Sequence, residues 1–517
     1  MTRAALVIAF LAAVLTVPRL GHRQIVGSHE AVFPIVARDI VERGAWMGAE
    51  LRGLPYRNKP PLYPWAIAAL SWPAGRVTEI TARVPVVLAA IGSVVGTFLL
   101  GARLFGRRAG WWAALILLTS VVFFDQALAT IPDVPMLFFQ LLAGLALWSL
   151  ANDGGRRALF SFYVALALAA FTKGIPGLLP LAVALVWLGL DGGLRALRRL
   201  VWAPGLLVFA VATALWLVPY LAKVGHDPAS AAAVRDWTGA LGTLHPRVLG
   251  LQALYGVLGF LPWTLVLPLA LVTALRARQA RPVAFALCWF LVQAVLIFSM
   301  QQQRLRYLLP MLPGAALLVA WWADREASAP RARPVLAALA LVSALAGAAL
   351  VPLALPRWDI VLPAHAWAIG LLLFGIVVLG ATAAVGFWTG RPATMVPAVA
   401  ALSAVLLMTG GWIVDDWENH AWDFRRAALD LGRAPQPLAV AALADDHELL
   451  QVDFYLGRAL PPLRSPDAVA RHLTNAGAVV IETPRWQTAA EWLPIDPRAL
   501  RAESVMPGVL MVSDGRR

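Results

Sequence analysis

The sequence predicts an all-α polytopic membrane protein of about thirteen transmembrane helices, with a small α/β domain after residue 414. Three observations carry this. Of the 517 residues, 60% are hydrophobic and only 14% are charged, more apolar surface than a water-soluble core can bury. The apolar residues also fall in runs close to the roughly 20 that a helix needs to cross the hydrocarbon of a bilayer. Beyond Asp415 the pattern changes to frequent charges between short apolar runs.

Taken in order, the runs place spans near 4–20, 81–101, 111–124, 134–150, 158–172, 175–190, 201–221, 254–275, 282–300, 308–323, 334–355, 364–385 and 393–414. The first, MTRAALVIAFLAAVLTVPRL, has the basic-then-apolar order of a secretory signal but no small-x-small cleavage site. It is expected to remain as a helix with its N-terminus in the cytoplasm. Every second connection is basic: Arg103, Arg107 and Arg108; Arg156 and Arg157; Arg195, Arg198 and Arg199; Arg276, Arg278 and Arg281; Arg325, Arg331 and Arg333; then Arg391. Short arginine-rich loops mark the cytoplasmic side. The intervening connections therefore face out, the longest being 21–80, and an odd number of spans puts the C-terminus outside too.

After the last span, LAVAAL, AVVIE and VLMVS read as strands between helical stretches such as WDFRRAALDLG and PDAVARHLTNAG. The expected division is thus a transmembrane domain over 1–414, with its outer loop 21–80, and an outer α/β domain over 415–517. A net charge of +14 and a pI near 10.9 suggest nucleic acid in a soluble protein, but these arginines sit in clusters between apolar runs. They serve topology, and no nucleic-acid partner is expected. Cys288 is the single cysteine, so the fold uses no intramolecular disulfide.

The chemistry gathers on the predicted outer face. Lys59, Lys173 and Lys223 are the only lysines, and all three fall there. Lys173 in FTKGIPG, and Arg304 and Arg306 in QQQRLRY, lie at the outer ends of spans, where a charge is costly unless partnered. Two readings stand: the side chains snorkel to headgroups, or they meet an anionic lipid phosphate, which several cations on one face favour. Asp133, in ATIPDVPM, opens a span where a carboxylate complements the helix dipole; it is a cap or a site residue. Pro34 suggests that a helix begins near Phe33 and ends at Gly44, leaving His29 and Glu30 in a loop. Phe33, Val36, Ile40 and Val41 form an apolar stripe on that helix, suited to a membrane surface or to packing.

Several pieces, in order, carry a family resemblance: HEAVFPIVARDIVERGAW with NKPPLYPW, TARVPVVLAAI, IPDVPMLFF, FTKGIPG, and HPRVLGLQALYGVLGFLPW with RYLLPMLPG, joined by DDHELLQVDFYLGRALP near the end. The chain resembles the bacterial polyprenol-phosphate-dependent glycosyltransferases of the GT-C fold, the family of the aminoarabinose lipid A transferase and the dolichyl-phosphate-mannose protein mannosyltransferases. The resemblance implies inverting transfer of a sugar from an undecaprenyl-phosphate-linked donor to a lipid, glycan or protein acceptor on the periplasmic face of the inner membrane. The family's first outer loop carries an Asp-Glu pair that serves the acceptor; His29 stands at the aspartate position and Glu30 matches the second acid. Asn58 replaces a usual glutamate, and Lys59 matches the lysine that meets the donor phosphate. Asp133 matches a second acid of the cavity, Lys173 the lysine of the turn, and Arg304, Arg306 and Tyr307 the basic and tyrosine stretch near the phosphate.

In that chemistry the cations offset charge developing on the leaving phosphate, while His29, Glu30 or Asp133 serves the acceptor hydroxyl. No cofactor is required, although a histidine can bind metal and a divalent ion stays open. The sequence has neither a Gly-rich nucleotide loop nor a Walker motif. Two other classes stay open: a transporter or flippase of lipid-linked sugars, which would place polar residues mid-span, and a catalytically silent envelope scaffold, prompted by His29 and Asn58.

Overall fold

The computed structural model describes residues 2–514 except 57, 154, 225–245, 301–303, 390–391, 435, 444–446 and 476, and 326–361 apart from 333, 337 and 344. Helix is found at twelve of the thirteen predicted stretches; the span at 334–355 apart from residues 337 and 344, with Arg331 and Arg391, lies outside the described residues. Among the described residues, seven helices are long and apolar enough to cross a membrane: Thr2–Arg19, Glu79–Phe105, Asp133–Asn152, Ile175–Arg198, Arg281–Phe298, Leu305–Arg325 and Val396–Gly432. The chain divides into two compact units, one of residues 1–18, 57–62 and 85–413, the other of 19–56, 63–84 and 414–517.

In chain order the helices of interest are α1 (Thr2–Thr16), α2 (Ser28–Arg43), α3 (Leu62–Ser71), α4 (Glu79–Phe105), α5 (Arg107–Leu118), α6 (Val121–Gln126), α7 (Asp133–Asp153), α8 (Arg156–Lys173) and α9 (Leu179–Arg198). They continue with α10 (Ala203–Val224), α11 (Pro246–Gly259), α12 (Leu267–Arg276), α13 (Arg281–Phe298), α14 (Leu312–Arg325), α15 (Leu362–Thr389) and α16 (Pro392–Ala421).

Two predicted spans are not single helices. The run at 111–124 breaks between α5 and α6, where the Thr119 and Ser120 hydroxyls donate back to Leu115 O (2.7 Å) and Ile116 O (2.6 Å) and the chain leaves the helix. The run at 254–275 breaks after Gly259 into a 3₁₀ turn at Trp263–Leu265 and then α12. The two breaks meet: Val121 N–H donates to Leu261 O and Trp263 Nε1 to Thr119 Oγ1 (3.1 Å). Hydropathy sees only apolar side chains, not backbone groups satisfied across two broken helices.

Within this first unit the helix ends sort into two sets. Arg108 pairs with Asp324, Arg281 with Asp191 (2.6 and 2.7 Å), and Arg103 donates to Ser149 Oγ (3.0 Å). These pairs bring the predicted basic ends of α4, α5, α7, α9, α13 and α14 to one end of the bundle. Asp133 and Lys173 lie at the other end of α7 and α8, about 30 Å away along a 21-residue helix.

The second unit holds a five-stranded sheet built from β3 (Leu438–Ala441), β4 (Pro462–Leu463), β5 (Ala478–Glu482), β6 (Leu500–Met506) and β7 (Val509–Asp514), in the order β4-β3-β5-β7-β6. The first three strands are parallel, and β5-β7-β6 is antiparallel. The runs LAVA and AVVI are buried throughout, as befits parallel strands covered on both faces. Helices α17 (Phe424–Gly432), α18 (Leu450–Leu456) and α19 (Pro466–Thr474) accompany the sheet; Asp423 and Ser465 cap α17 and α19 by accepting from Arg426 N and Ala468 N. Phe424, Leu431, Leu438, Val440 and Val480 share one core.

Helix α2 belongs to this unit and corrects two expectations. It begins at Ser28, so His29 and Glu30 lie in its first turn and not in a loop. Its first turn is held by Glu30 N and Ala31 N donating to Gly27 O (2.9 and 3.2 Å), and Ser28 Oγ donates to Gln451 Oε1 (3.0 Å). Pro34 removes one donor without ending the helix. Residues 31–38 and Ile40 are all buried, so the apolar stripe is a packing face within protein. Even Arg38 is covered, and its guanidinium donates to Asp453 O (2.8 Å). The end at Gly44 is as expected, with φ +68° and its N–H on Ile40 O. A hairpin of β1 (Glu50–Leu51) and β2 (Leu54–Pro55) follows, and from its turn Arg52 reaches Asp453 with two hydrogen bonds (2.6 and 3.1 Å), both side chains fully buried.

Candidate functional site

The strongest constellation among the described residues lies in the first unit, at the end of the bundle opposite the arginine pairs. Asp133 is the first residue of α7, where the free N–H groups and dipole of the helix favour a carboxylate. Lys173 is the last residue of α8, and its ammonium donates to Asp133 Oδ1. Both side chains are buried, at 8% exposure for Lys173 and 3% for Asp133. Snorkelling is therefore excluded for Lys173: its head is turned into protein, not out to headgroups.

The turn after Lys173 explains the sequence KGIPG. Gly174 has φ +76° and ψ −137°, a backbone open to glycine alone. A Cβ at Gly177 would collide with the Ala169 backbone, so the 3₁₀ turn Ile175–Leu178 can press on α8 only through a glycine. Gln140, one face along α7, donates to Pro176 O (2.8 Å) and ties the turn to the helix that carries Asp133.

Arg306 and Tyr307 come from the 3₁₀ segment Leu305–Met311, anchored by Trp289 Nε1 donating to Pro310 O (3.0 Å). The Arg306 Nε lies 3.9 Å from Asp133 Oδ2, an ion-pair distance too long for a hydrogen bond, and it has no hydrogen-bond partner among the described residues. The Tyr307 ring lies beneath both cations, 4.9 Å from Lys173 Nζ and 5.8 Å from the Arg306 guanidinium. Two cations thus share one carboxylate over an aromatic face, leaving one positive charge and one buried donor unmet.

The other expected site residues have their own surroundings. Arg304 is exposed and precedes the 3₁₀ segment in an extended conformation. Lys59 donates to Asn58 Oδ1 (2.5 Å) and Asn58 O (3.2 Å), so the asparagine that replaces the family's glutamate is its acceptor. In the second unit, Glu30 Oε1 accepts from Arg23 (3.3 Å), which also meets Glu418 (3.3 Å), and the His29 ring lies 6.1 Å from that of His447. Sequence reasoning missed Arg23, whose signal was its place seven residues before Glu30, and Arg83. The latter is fully buried and donates to three carbonyls, Leu20, Arg23 and Gln24 (3.1, 2.5 and 3.0 Å), fixing the segment before α2.

Among the described residues no three or more His, Cys, Asp or Glu side chains gather as metal ligands, and the Asp133 carboxylate is already taken up by two cations. These residues do not fit a divalent ion.

The chain is similar to known proteins in sequence and in fold. A family model described as dolichyl-phosphate-mannose-protein mannosyltransferase matches residues 58–218, a stretch that includes Lys59, Asp133 and Lys173. The undecaprenyl phosphate-alpha-4-amino-4-deoxy-L-arabinose arabinosyl transferase of Yersinia enterocolitica is 25% identical over 333 residues, 62% of this chain and 59% of that protein. The chain spans about three fifths of the length of such curated relatives. The fold likeness is fuller: ArnT from Cupriavidus metallidurans in the apo state has a TM-score of 0.77 at 20% identity, covering 99% of this chain and 98% of that one. The same protein bound to undecaprenyl phosphate has a TM-score of 0.76 at 20% identity, covering 98% and 97%. In sequence over residues 58–218, and in fold over nearly its whole length, the chain resembles the polyprenol-phosphate-dependent glycosyltransferases of the GT-C fold.

Proposed function

We propose that this chain is an integral membrane glycosyltransferase of the bacterial inner membrane. It moves a sugar from an undecaprenyl-phosphate-linked donor to a lipid, glycan or protein acceptor on the periplasmic face, with inversion. The observation that carries the reading is the buried pair Asp133 and Lys173 with the half-buried Arg306 and Tyr307, a set that holds a net positive charge and an unmet Arg306 Nε donor at one end of the bundle. A phosphate supplies what the set lacks: negative charge and acceptor oxygens. As the glycosidic bond to phosphate breaks, charge grows on the departing oxygens, and cations already fixed in place stabilise it without reorganising. Asp133 holds the two cations at the right spacing, and is here a positioning group more than a base.

Lys59 and Arg304 join the donor phosphate, and Glu30 or His29 serves the acceptor hydroxyl; these assignments rest on the family resemblance. Relatives bearing the arabinosyl transferase description make an undecaprenyl-phosphate-linked amino sugar the first donor to try. The test is incubation of the purified protein with undecaprenyl-phosphate sugars and candidate acceptors, following donor consumption by mass spectrometry. Wild type is compared with Lys173→Met, Arg306→Gln, Lys59→Ala, Glu30→Gln and His29→Ala. Consumption that falls in the first three variants supports the reading, and consumption that none of the five alters overturns it.

A further inference from the structure

A second feature of the first unit lies at its arginine end. Helices α7 and α8, with Arg103 from the end of α4, line an open cavity of ≈640 Å³. Arg103 and Arg157 stand at its polar end with Ser149 beside them, while Leu142, Phe160 and Leu168 line the rest. Among the described residues no carboxylate lines it. Arg103 donates to the Ser149 hydroxyl (3.0 Å), which turns the guanidinium over the opening. Arg157 is exposed, and Phe160, three residues on, is 47% exposed.

The dimensions choose among anionic occupants. From Arg157 to Leu168 the lining of α8 runs eleven residues, about 16 Å of helix. That is about half of a ~30 Å hydrocarbon core. With the arginine end at the membrane boundary, as the basic connections lead one to expect, the cavity runs from polar to apolar over the depth of one leaflet. A nucleotide or a free phosphate would match the two arginines and leave the apolar walls against its polar groups. A lipid with a phosphate head matches both parts.

We propose that this cavity binds one anionic glycerophospholipid from the leaflet at the arginine end, its phosphate on Arg103, Arg157 and the Ser149 hydroxyl and one acyl chain along α8. The site is separate from the Asp133 set, which lies at the opposite ends of α7 and α8. It needs neither donor nor acceptor of the transfer reaction, so its test stands apart from that of the enzymatic reading.

The experiment is native mass spectrometry of the purified full chain in detergent, titrated with phosphatidylglycerol, phosphatidylcholine or soluble glycerol phosphate. Wild type is expected to retain phosphatidylglycerol over phosphatidylcholine and to ignore glycerol phosphate. Each of Arg103→Gln and Arg157→Gln is expected to weaken phosphatidylglycerol binding about fivefold, whereas Arg107→Gln, at the same end but outside the cavity, is expected to leave it unchanged. Val164→Phe fills the apolar part with both arginines intact, and is expected to lose the lipid. Melting temperatures measured without added lipid identify any variant that misfolds, and the charge and filling variants then check each other. Equal retention of the two lipids, equal loss in Arg107→Gln, full retention in Val164→Phe, or capture of glycerol phosphate in place of the lipid each overturns the proposal.

Discussion

Replacing Asp133 by asparagine removes the one negative charge from a set that holds two cations. Lys173, at 8% exposure, then keeps its ammonium with little access to water. Breaking such a buried pair costs ~3–5 kcal/mol, of which the Tyr307 face, 4.9 Å from the ammonium, retains ~1–2 kcal/mol. The expected loss of stability is therefore ~1–4 kcal/mol. Converting both partners, Asp133→Leu with Lys173→Met, removes the uncompensated charge, and stability is expected to return to within ~1 kcal/mol of wild type. Activity should behave differently. The double variant has lost one charge-assisted contact to phosphate, worth ~1.5–3 kcal/mol, so kcat/KM falls about 10- to 150-fold. The assays are denaturant unfolding in detergent beside donor turnover. A double variant that is stable and turns over within about threefold of wild type would refute the assignment, because the pair would then be packing alone.

Three further outcomes are expected. Gly177→Ala drives a methyl into the Ala169 backbone, which should cost ~1–3 kcal/mol and, by displacing the turn after Lys173, lower turnover more than Gly155→Ala, where a Cβ meets nothing; equal effects contradict this. Arg52→Met leaves Asp453 buried with an unmet charge, and the second unit should lose ~3–5 kcal/mol, measured by limited proteolysis of the 414–517 region against wild type. Burial, with the Glu79 carboxylate beside it, pushes the Tyr455 hydroxyl well above its usual range. A raised folded value means that the contribution is fully present below pH ~10, the unfolded tyrosine value, and is lost as pH rises through the folded one. Denaturation midpoints should hold flat up to that pH and fall beyond it, and Tyr455→Phe should remove that part of the fall.

The helices were legible because length and hydropathy are local properties. The basic connections were legible for the same reason, and the pairing of Arg108 with Asp324 and Arg281 with Asp191 gathers those ends as alternation demanded. Local signals end where satisfaction comes from afar. Thr119 and Leu261 meet across two broken helices, and nothing within either run says so. Asp133 and Lys173 each read as a charge at the end of a span, but their partnership joins residues 40 apart. Pro34 marks no boundary because a proline costs a helix only one donor, and the first turn of α2 is held by Gly27 and Ser28. Asn58 looked like a lost acid; it accepts from Lys59 all the same.

The segments 19–56 and 63–84 complete their unit only with 414–517, and this sets an order on biosynthesis. Arg19 and Arg23 find Asp415 and Glu418, and Arg38 and Arg52 find Asp453, nearly four hundred residues later. At ~10 residues per second, translation of the intervening chain takes tens of seconds. Throughout that interval the acids that Arg19 and Arg52 meet in the folded unit, Asp415 and Asp453, have not yet been made. A ribosome that stops short of residue 414 therefore leaves this unit without the segment that supplies its sheet and these two acids.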